Sequence, residues 1–203
     1  MEKIENWNNL EAKGMEDFKN LPIGAYECII RKAELYTNPT TEKKSFKVQV
    51  DIADGEYKGY YQKRFDNNTK TDKVWDNNAT RYLAYEGENA SFFKGFITCV
   101  ENSNPGYKWD WDEEKLKGKK ICGVFQYEEY EGQDGKRGVK VRLNKFRSLD
   151  KIKEIEVKDT VRLIDGSYES IDDYNERKQT ATAEEVFGAS IVETDPGDMP
   201  FEI

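Results

Sequence analysis

The strongest constraint on the fold is a long β-hairpin that the sequence predicts between Lys115 and Lys153. Two segments typical of strands, Lys119–Glu131 and Gly138–Asp150, flank the turn sequence Gln133-Asp134-Gly135-Lys136. Asp-Gly between two such segments indicates a tight turn, because glycine readily adopts the positive φ that the turn requires. We therefore expect two long antiparallel strands that need a sheet and a core to pack against.

This stretch is basic, whereas the chain as a whole is acidic. It contains twelve Lys and Arg against five Asp and Glu, although the 203 residues carry a formal net charge of −8. In its second strand, apolar residues (Val139, Val141 and Leu143) alternate with polar ones (Lys140, Arg142 and Asn144). The charge suggests polyanion binding. The alternative is a solvated strand face whose cations are balanced by Glu128, Glu129 and Glu131.

The composition argues against most hydrolase mechanisms. The chain has no histidine, which excludes Ser-His and Cys-His nucleophile pairs and every His-ligated metal site. Cys28, Cys99 and Cys122 are far apart and form no Cys-x-x-Cys motif, so we expect buried reduced thiols. No apolar run approaches the ~20 residues of a membrane span. We expect a cytoplasmic protein that is not an enzyme, with no cofactor, no metal and no membrane association.

Three further segments predict strands, and two predict helices. The strands are Gly24–Thr37, Ser45–Ala53 and Tyr57–Asp66. One helix is predicted by the spacing of Trp75, Ala79, Tyr82 and Leu83, with Gly87 as its stop. The other, capped by Ser91, carries Phe93, Phe96, Ile97 and Val100 on one face and ends at Asn104-Pro105-Gly106.

This order predicts a mainly β fold with an α insert, a five-stranded OB-fold-like barrel whose helical insert lies between strands 3 and 4. A closed barrel also removes the exposed sheet edges that several short strands would otherwise leave. The alternatives are a β-sandwich and an open α+β sheet. We expect an N-terminal lead-in over residues 1–20, the barrel domain over 21–166, and an acidic, flexible linker and tail over 167–203.

Single-stranded nucleic acid requires cations for its phosphates and flat rings for its unpaired bases, and the predicted hairpin and the predicted strand Tyr57–Asp66 supply both. The candidate DNA-binding residues are Tyr60, Lys63, Arg64, Lys120, Tyr127, Tyr130, Lys136, Arg137, Lys140, Arg142, Lys145 and Arg147, with Lys119, Phe125 and Phe146 as further candidates. In the predicted strand Tyr57–Asp66, either Tyr60 and Arg64 or the opposite set of Tyr61, Lys63 and Phe65 faces the ligand.

Two other groups of residues have competing interpretations. Trp109 and Trp111, on either side of Asp110, either stack on bases or close the end of the barrel, and packing is the better founded of the two. Asp51, Glu56 and Lys58 loosely resemble the carboxylate-carboxylate-lysine set of metal-dependent nucleases. Their spacing is too short for that geometry, and Asp54-Gly55 is typical of a plain turn.

Several stretches carry a resemblance to a known family. They are Phe18-x-x-Leu21-Pro22-x-Gly24-x-Tyr26, Gly55-Glu56-Tyr57-Lys58-Gly59, Phe92-Phe93-Lys94-Gly95-Phe96-Ile97, Asn104-Pro105-Gly106-Tyr107 and the hairpin from Gly118 to Arg147. In these stretches the chain resembles the single-stranded DNA-binding proteins encoded by phages of Gram-positive bacteria. The resemblance implies an OB-fold, sequence-tolerant binding of single strands, and a role in phage DNA replication, recombination or repair.

The acidic C-terminal tip also resembles that of bacterial single-stranded DNA-binding proteins, which ends in Asp-Ile-Pro-Phe. Here the matching residues are Asp198, Met199, Pro200 and Phe201, followed by Glu202 and Ile203. The resemblance implies that this tip recruits replication or recombination proteins. The alternative function for the whole chain is a protein-interaction or recombination-accessory module without DNA binding. The oligomeric state, including a homo-oligomer, is left open.

Overall fold

The computed structural model describes Glu5, Trp7–Asn9 and residues 19–188. The strands are β1 Gly24–Thr37, β2 Lys44–Ile52, β3 Thr80–Ala84, β4 Lys120–Glu131, β5 Arg137–Arg147, β6 Thr160–Arg162 and β7 Tyr168–Ser170. The α-helices are α1 Tyr60–Asn67, α2 Ala90–Ser103 and α3 Ile171–Gly188. Short 3-10 turns are Trp7–Asn9, Asn77–Ala79, Glu113–Leu116 and Leu149–Glu154.

The strands form one mixed sheet in the order β3-β2-β1-β4-β6-β7, and β5 pairs with β4. All pairings are antiparallel except the short parallel one between β4 and β6. Within the described residues no hydrogen-bonded pairing joins β3 to β5, so the sheet is open at this point. The expectation of a mainly β protein with helices is confirmed, and the sheet has seven strands in this part of the chain rather than five.

The predicted hairpin is confirmed as β4 and β5. Gly135 has a φ of +75°, and its N–H donates to the carbonyl of Gly132 at 3.0 Å, so the turn depends on glycine where the sequence predicted it. The register places Phe125 opposite Leu143, both buried, and Gln126 opposite Arg142 on the other face. The alternation of apolar and cationic residues therefore separates a core face from an outer face.

The strand predicted over Tyr57–Asp66 is wrong, because this segment contains helix α1. Gly59 precedes the helix with a φ of +71°, and its N–H donates to the carbonyl of Ile52 at 2.9 Å. The carboxylate of Asp51 then accepts the N–H groups of Tyr61 and Gln62 at 2.9 and 3.3 Å. A residue on the preceding strand thus supplies the N-terminal cap that the local sequence lacks.

The helix predicted from Trp75 to Leu83 is also wrong, because the third strand of the meander, β3, begins inside it. Asp76 accepts the N–H of Asn78 at 2.8 Å and starts a single 3-10 turn rather than an α-helix. Leu83 then pairs with Phe46 of β2 and faces the core, whereas Tyr82 points to the outer face. Pairing with β2 decided the conformation of a segment whose spacing also suits a helix.

Helix α2 is confirmed and packs over the end of the sheet. Its buried residues are the four predicted ones, Phe93, Phe96, Ile97 and Val100. The helix begins after Asn89 rather than at the predicted cap, Ser91, and it ends at Ser103, immediately before Asn104-Pro105-Gly106. The phenylalanines of α2 contact Phe46 of β2 and Phe146 of β5, with ring centroids 4.7 and 4.9 Å apart, so the helix joins the meander to the hairpin.

The expectation of a linker from residue 167 is wrong for residues 168–188, which form β7 and α3. Strand β6 pairs with the C-terminal half of β4, and β7 pairs with β6. Tyr174 of α3 is 3% exposed and fixes the start of that helix to the sheet. The predicted partner-binding residues Asp198, Met199, Pro200 and Phe201 lie outside the described residues, as does most of the expected lead-in over residues 1–20. No helix in the described part of the chain combines the length and apolarity needed to cross a membrane.

Candidate nucleic-acid interface

The two groups of residues that the sequence analysis predicted separately meet in one cleft of about 460 Å³. Tyr60 and Arg64 lie one helical turn apart on α1 and line one wall. Tyr127 of β4 and Lys140 of β5 line the opposite wall. The cleft lies at the open point of the sheet, where β5 faces the turn that precedes β3.

Contacts to the backbone and to a neighbouring carboxylate hold the α1 wall in place. The hydroxyl oxygen of Tyr60 accepts the N–H of Leu21 at 3.3 Å. Arg64 donates from Nε to Asp76 at 3.2 Å, and its guanidinium carbon lies 5.6 Å from the centroid of the Tyr60 ring. A guanidinium has five N–H donors, so this single bond leaves most of them able to meet an anion. The wall presents an aromatic ring and a cation side by side.

The hairpin wall is apolar at its base and basic at its rim. Tyr127 lies opposite Val141 in the register of β4 and β5, and both line the cleft together with Val139. The Nζ atom of Lys140 lies 4.4 Å from the centroid of the Tyr130 ring, on the outer face. A cleft with rings, an apolar base and cations at its edge is suited to a planar ligand that carries negative charge.

The ring of Tyr130 covers a glycine on the neighbouring strand. Gly138 lies opposite Tyr130, and a Cβ atom at this position would lie 2.8 Å from the Tyr130 hydroxyl oxygen. The absence of a side chain at Gly138 lets the ring lie flat over β5 beside Lys140. The tyrosine is 39% exposed, so one ring face is available to solvent.

Most of the other predicted cations of the hairpin already have acidic neighbours. The ion pairs are Lys120 with Glu27 at 2.7 Å, Arg137 with Glu131 at 3.2 Å, Arg142 with Glu128 at 2.9 Å and Lys136 with Asp134 at 4.0 Å. Arg147 is exposed and donates to the carbonyl of Phe146 at 3.3 Å. Lys63 and Lys145 are exposed and form no ion pair with any other described residue. Lys140, whose ammonium lies over the Tyr130 ring, also forms no ion pair with any other described residue.

The two phenylalanines proposed as stacking faces are buried, so that part of the prediction is wrong. Phe125 is 0% exposed and lies nearly parallel to the ring of Tyr61, with centroids 6.0 Å apart. Phe146 is 6% exposed and packs against α2. Tyr61 also lines the cleft but is only 2% exposed, and Lys63 and Phe65 do not line it. Tyr60 and Arg64 therefore supply the accessible ring and the cation of this wall.

A second surface with rings and cations was missed by the sequence analysis. On the outer face of the β1-β2-β3 meander, Tyr36 and Tyr82 make an edge contact, with centroids 5.4 Å apart. The Nζ atom of Lys47, which lies opposite Tyr82, is 5.6 Å from the centroid of the Tyr36 ring. Tyr82 was assigned to a helix, and without β3 the sequence offered no reason to place these three residues together.

The two tryptophans have different environments. Trp109 packs against Phe46 and Phe93 in the core, which agrees with the packing interpretation. Trp111 is 71% exposed and has a φ of +69°, a conformation that side-chain-bearing residues seldom adopt. Its ring lies beside that of Trp109, with centroids 6.1 Å apart, and its exposed part can contact a ligand or a partner.

Asp51 and Glu56 of the nuclease-like set already have partners within the protein. Asp51 accepts the N–H groups of Ile52, Tyr61 and Gln62, and burial raises the pKa of its carboxyl although these bonds oppose the shift. Glu56 is exposed and pairs with Lys19 at 2.9 Å. Among the described residues, no group of His, Cys, Asp or Glu is arranged to hold a metal ion. Asp51 is therefore the cap of α1.

A family model described as a protein of unknown function (DUF669) matches residues 8–86, which include β1, β2, α1 and β3. No curated protein matches the chain.

Proposed function

We propose that this protein binds single-stranded DNA without sequence preference, with the cleft between α1 and the hairpin as its principal site. The observation that carries the proposal is the meeting of two ring-cation sets in that cleft, Tyr60 with Arg64 and Tyr127 with Lys140. Unpaired bases stack on the rings, and the cations hold the adjacent phosphates. Stacking and phosphate contacts position a strand but do not read its sequence.

We also propose that β1 to β5 form an OB-fold. In that five-stranded Greek-key barrel the first strand pairs with both the second and the fourth, and a helix follows the third. Here β1 pairs with β2 and with β4, and α2 follows β3. The remaining junction is between β3 and β5, which contact each other without a hydrogen-bonded pairing among the described residues. On this proposal the cleft lies at the seam of the barrel.

The outer face of the meander extends the proposed binding path. OB-folds bind oligonucleotides on the face of their second and third strands. In this chain that face carries Lys47 on β2 and Tyr82 on β3, beside Tyr36 of β1. A strand that leaves the cleft can therefore continue along a surface that offers the same two kinds of contact.

We further propose that the C-terminal residues Asp198, Met199, Pro200 and Phe201 bind replication or recombination proteins. The support is the sequence resemblance of the acidic tip. In this proposal the protein protects single strands during phage DNA replication or recombination, without enzymatic activity, in the cytoplasm of the host cell.

A protein-interaction module remains the second candidate function, and specific observations favour it. Four cations of the hairpin are paired with carboxylates, which reduces the charge available to phosphates. The exposed ring of Trp111 has the character of an anchor at protein interfaces, where tryptophan is enriched. On this alternative the protein binds no oligothymidine even at low salt.

The proposed function predicts a steep dependence of DNA affinity on salt. Each phosphate neutralised on a single strand contributes about −0.7 to the slope of log K against log salt. With about four phosphates held by Arg64, Lys140 and the neighbouring exposed lysines, we expect a slope of roughly −3. Fluorescence anisotropy of a labelled oligothymidine at several salt concentrations measures it. An affinity that does not change with salt would contradict phosphate tracking.

A further inference from the structure

Three arginines from different strands approach one carboxylate on the outer face of the hairpin. Glu128 of β4 lies opposite Arg162 in the parallel pairing with β6. Its Oε1 atom accepts from Nη1 of Arg142 on β5 at 2.9 Å. Arg81 lies on β3, which contacts β5, the strand that carries Arg142. Its side chain is half-buried, and Glu128 is the charge that acts on it most strongly. The cluster therefore joins β3, β4, β5 and β6.

Positive charge exceeds negative charge in this cluster. Burial lowers the pKa of Arg81, and repulsion by Arg162 and Arg142 lowers it further, against the opposing effect of Glu128. Both residues lie in paired strands, but the side chain of neither Arg81 nor Arg162 forms a hydrogen bond or ion pair with any other described residue. Two guanidinium groups thus hold N–H donors that have no protein acceptor within the described part of the chain.

A bound oxyanion would stabilise this cluster in two ways. It would accept hydrogen bonds from the free donors, and it would offset the repulsion among the three guanidinium groups. A guanidinium binds phosphate oxygens through two parallel bonds, which a lysine does not do. Tyr168 of β7 lies opposite Arg162 and is 56% exposed, so an aromatic ring lies next to the cations.

We infer that Arg81, Arg142 and Arg162 form an anion site that binds a phosphate of the DNA strand held in the cleft. The inference rests on the proposed function and adds a second phosphate contact to it. Lys140 lines the cleft, and Arg142 lies two residues further along β5, a distance of about 7 Å. One strand can therefore reach both positions.

Two substitutions, Arg81→Gln and Arg162→Gln, test the site. Each removes one guanidinium and leaves Tyr60, Arg64, Tyr127 and Lys140 of the cleft unchanged. We expect roughly tenfold weaker binding of an oligothymidine of about 16 nucleotides, with a salt slope shallower by about 0.7. A dinucleotide of thymidine, whose single phosphate the cleft alone can hold, should bind as it does to the unmodified protein. Lys94→Gln, which removes one exposed charge from α2, is the matched control.

The possible outcomes separate this inference from the proposed function. If the unmodified protein binds neither oligonucleotide, the proposed function fails, and the anion site fails with it as a DNA contact. If it binds both, and the two arginine variants behave like Lys94→Gln, only the anion site is overturned. A thermal melt completes the test. Arg81→Gln removes the attraction of Glu128 as well as the repulsion by Arg142 and Arg162, so we expect a melting temperature close to that of the unmodified protein. A clear fall that accompanies weaker binding would assign Arg81 a structural role and overturn the inference.

Discussion

Replacing Arg64 and Lys140 together with methionine is expected to weaken oligothymidine binding about a hundredfold. Methionine keeps an unbranched apolar side chain near each wall of the cleft and removes the positive charge. A hydrogen bond to a charged group contributes about 1.5–3 kcal/mol, so losing two of them costs at least about 3 kcal/mol. Each 1.4 kcal/mol corresponds to a factor of ten in affinity. The effect should be the same for all sequences, because neither residue reads bases.

The control for this experiment is a double variant with the same change in charge elsewhere. Lys94 on α2 and Lys153 in the 3-10 turn after β5 are exposed and do not line the cleft. Lys94→Met with Lys153→Met should alter affinity only through the general electrostatic field, by a few-fold at low salt. Anisotropy titrations of both double variants, next to their thermal melts, make the comparison. Equal losses in the two would assign binding to net charge and not to the cleft.

Replacing Gly123 with alanine is expected to cost about 2–3 kcal/mol of the free energy of unfolding. A Cβ atom on Gly123 of β4 would lie 2.8 Å from Sγ of Cys28 and 3.1 Å from a methyl carbon of Leu143. Both neighbours are buried, so neither side chain can turn away into solvent. Overpacking of this kind typically costs about 1–3 kcal/mol, and here β1, β4 and β5 meet at the point of contact.

A second glycine offers a matched control of opposite sign. Gly95 lies inside α2, and a Cβ atom there would meet nothing within 4 Å. Alanine favours a helix over glycine by about 0.5–1 kcal/mol, so Gly95→Ala should stabilise the protein slightly. Urea denaturation of both variants measures the difference. A Gly123→Ala variant as stable as the unmodified protein would mean that β1, β4 and β5 are not packed as described.

The elements that the sequence predicted correctly are those whose structure is decided locally. The hairpin follows from Asp134-Gly135, and α2 follows from four apolar residues at helical spacing that face one core. Helix α1 could not be predicted this way, because its cap is Asp51, which only the fold of β2 brings into position. Strand β3 depends likewise on pairing with β2, and its own apolar spacing suits a helix equally well.

The cleft residues were identified although the secondary structure of one wall was misassigned. Tyr60 and Arg64 are four residues apart, and this spacing places two side chains on one face of a strand and on one face of a helix alike. The wrong assignment of a strand therefore still placed Tyr60 and Arg64 on the same face. The burial of Phe125 and Phe146 was not predicted, because an aromatic ring suits a core and a stacking surface equally well. The contact between Tyr36 and Tyr82 requires the register of three strands.

Photochemical cross-linking tests the central claim most directly. An oligothymidine in which iododeoxyuridine replaces thymidine is bound to the full chain at low salt, irradiated, and digested for mass spectrometry. Because the halogenated base reacts with the aromatic ring on which it stacks, the account predicts adducts at Tyr60 and Tyr127, the two partly exposed rings of the cleft. Adducts confined to the exposed aromatic residues outside the cleft, such as Phe92 and Trp111, or no adduct despite measurable binding, would contradict it.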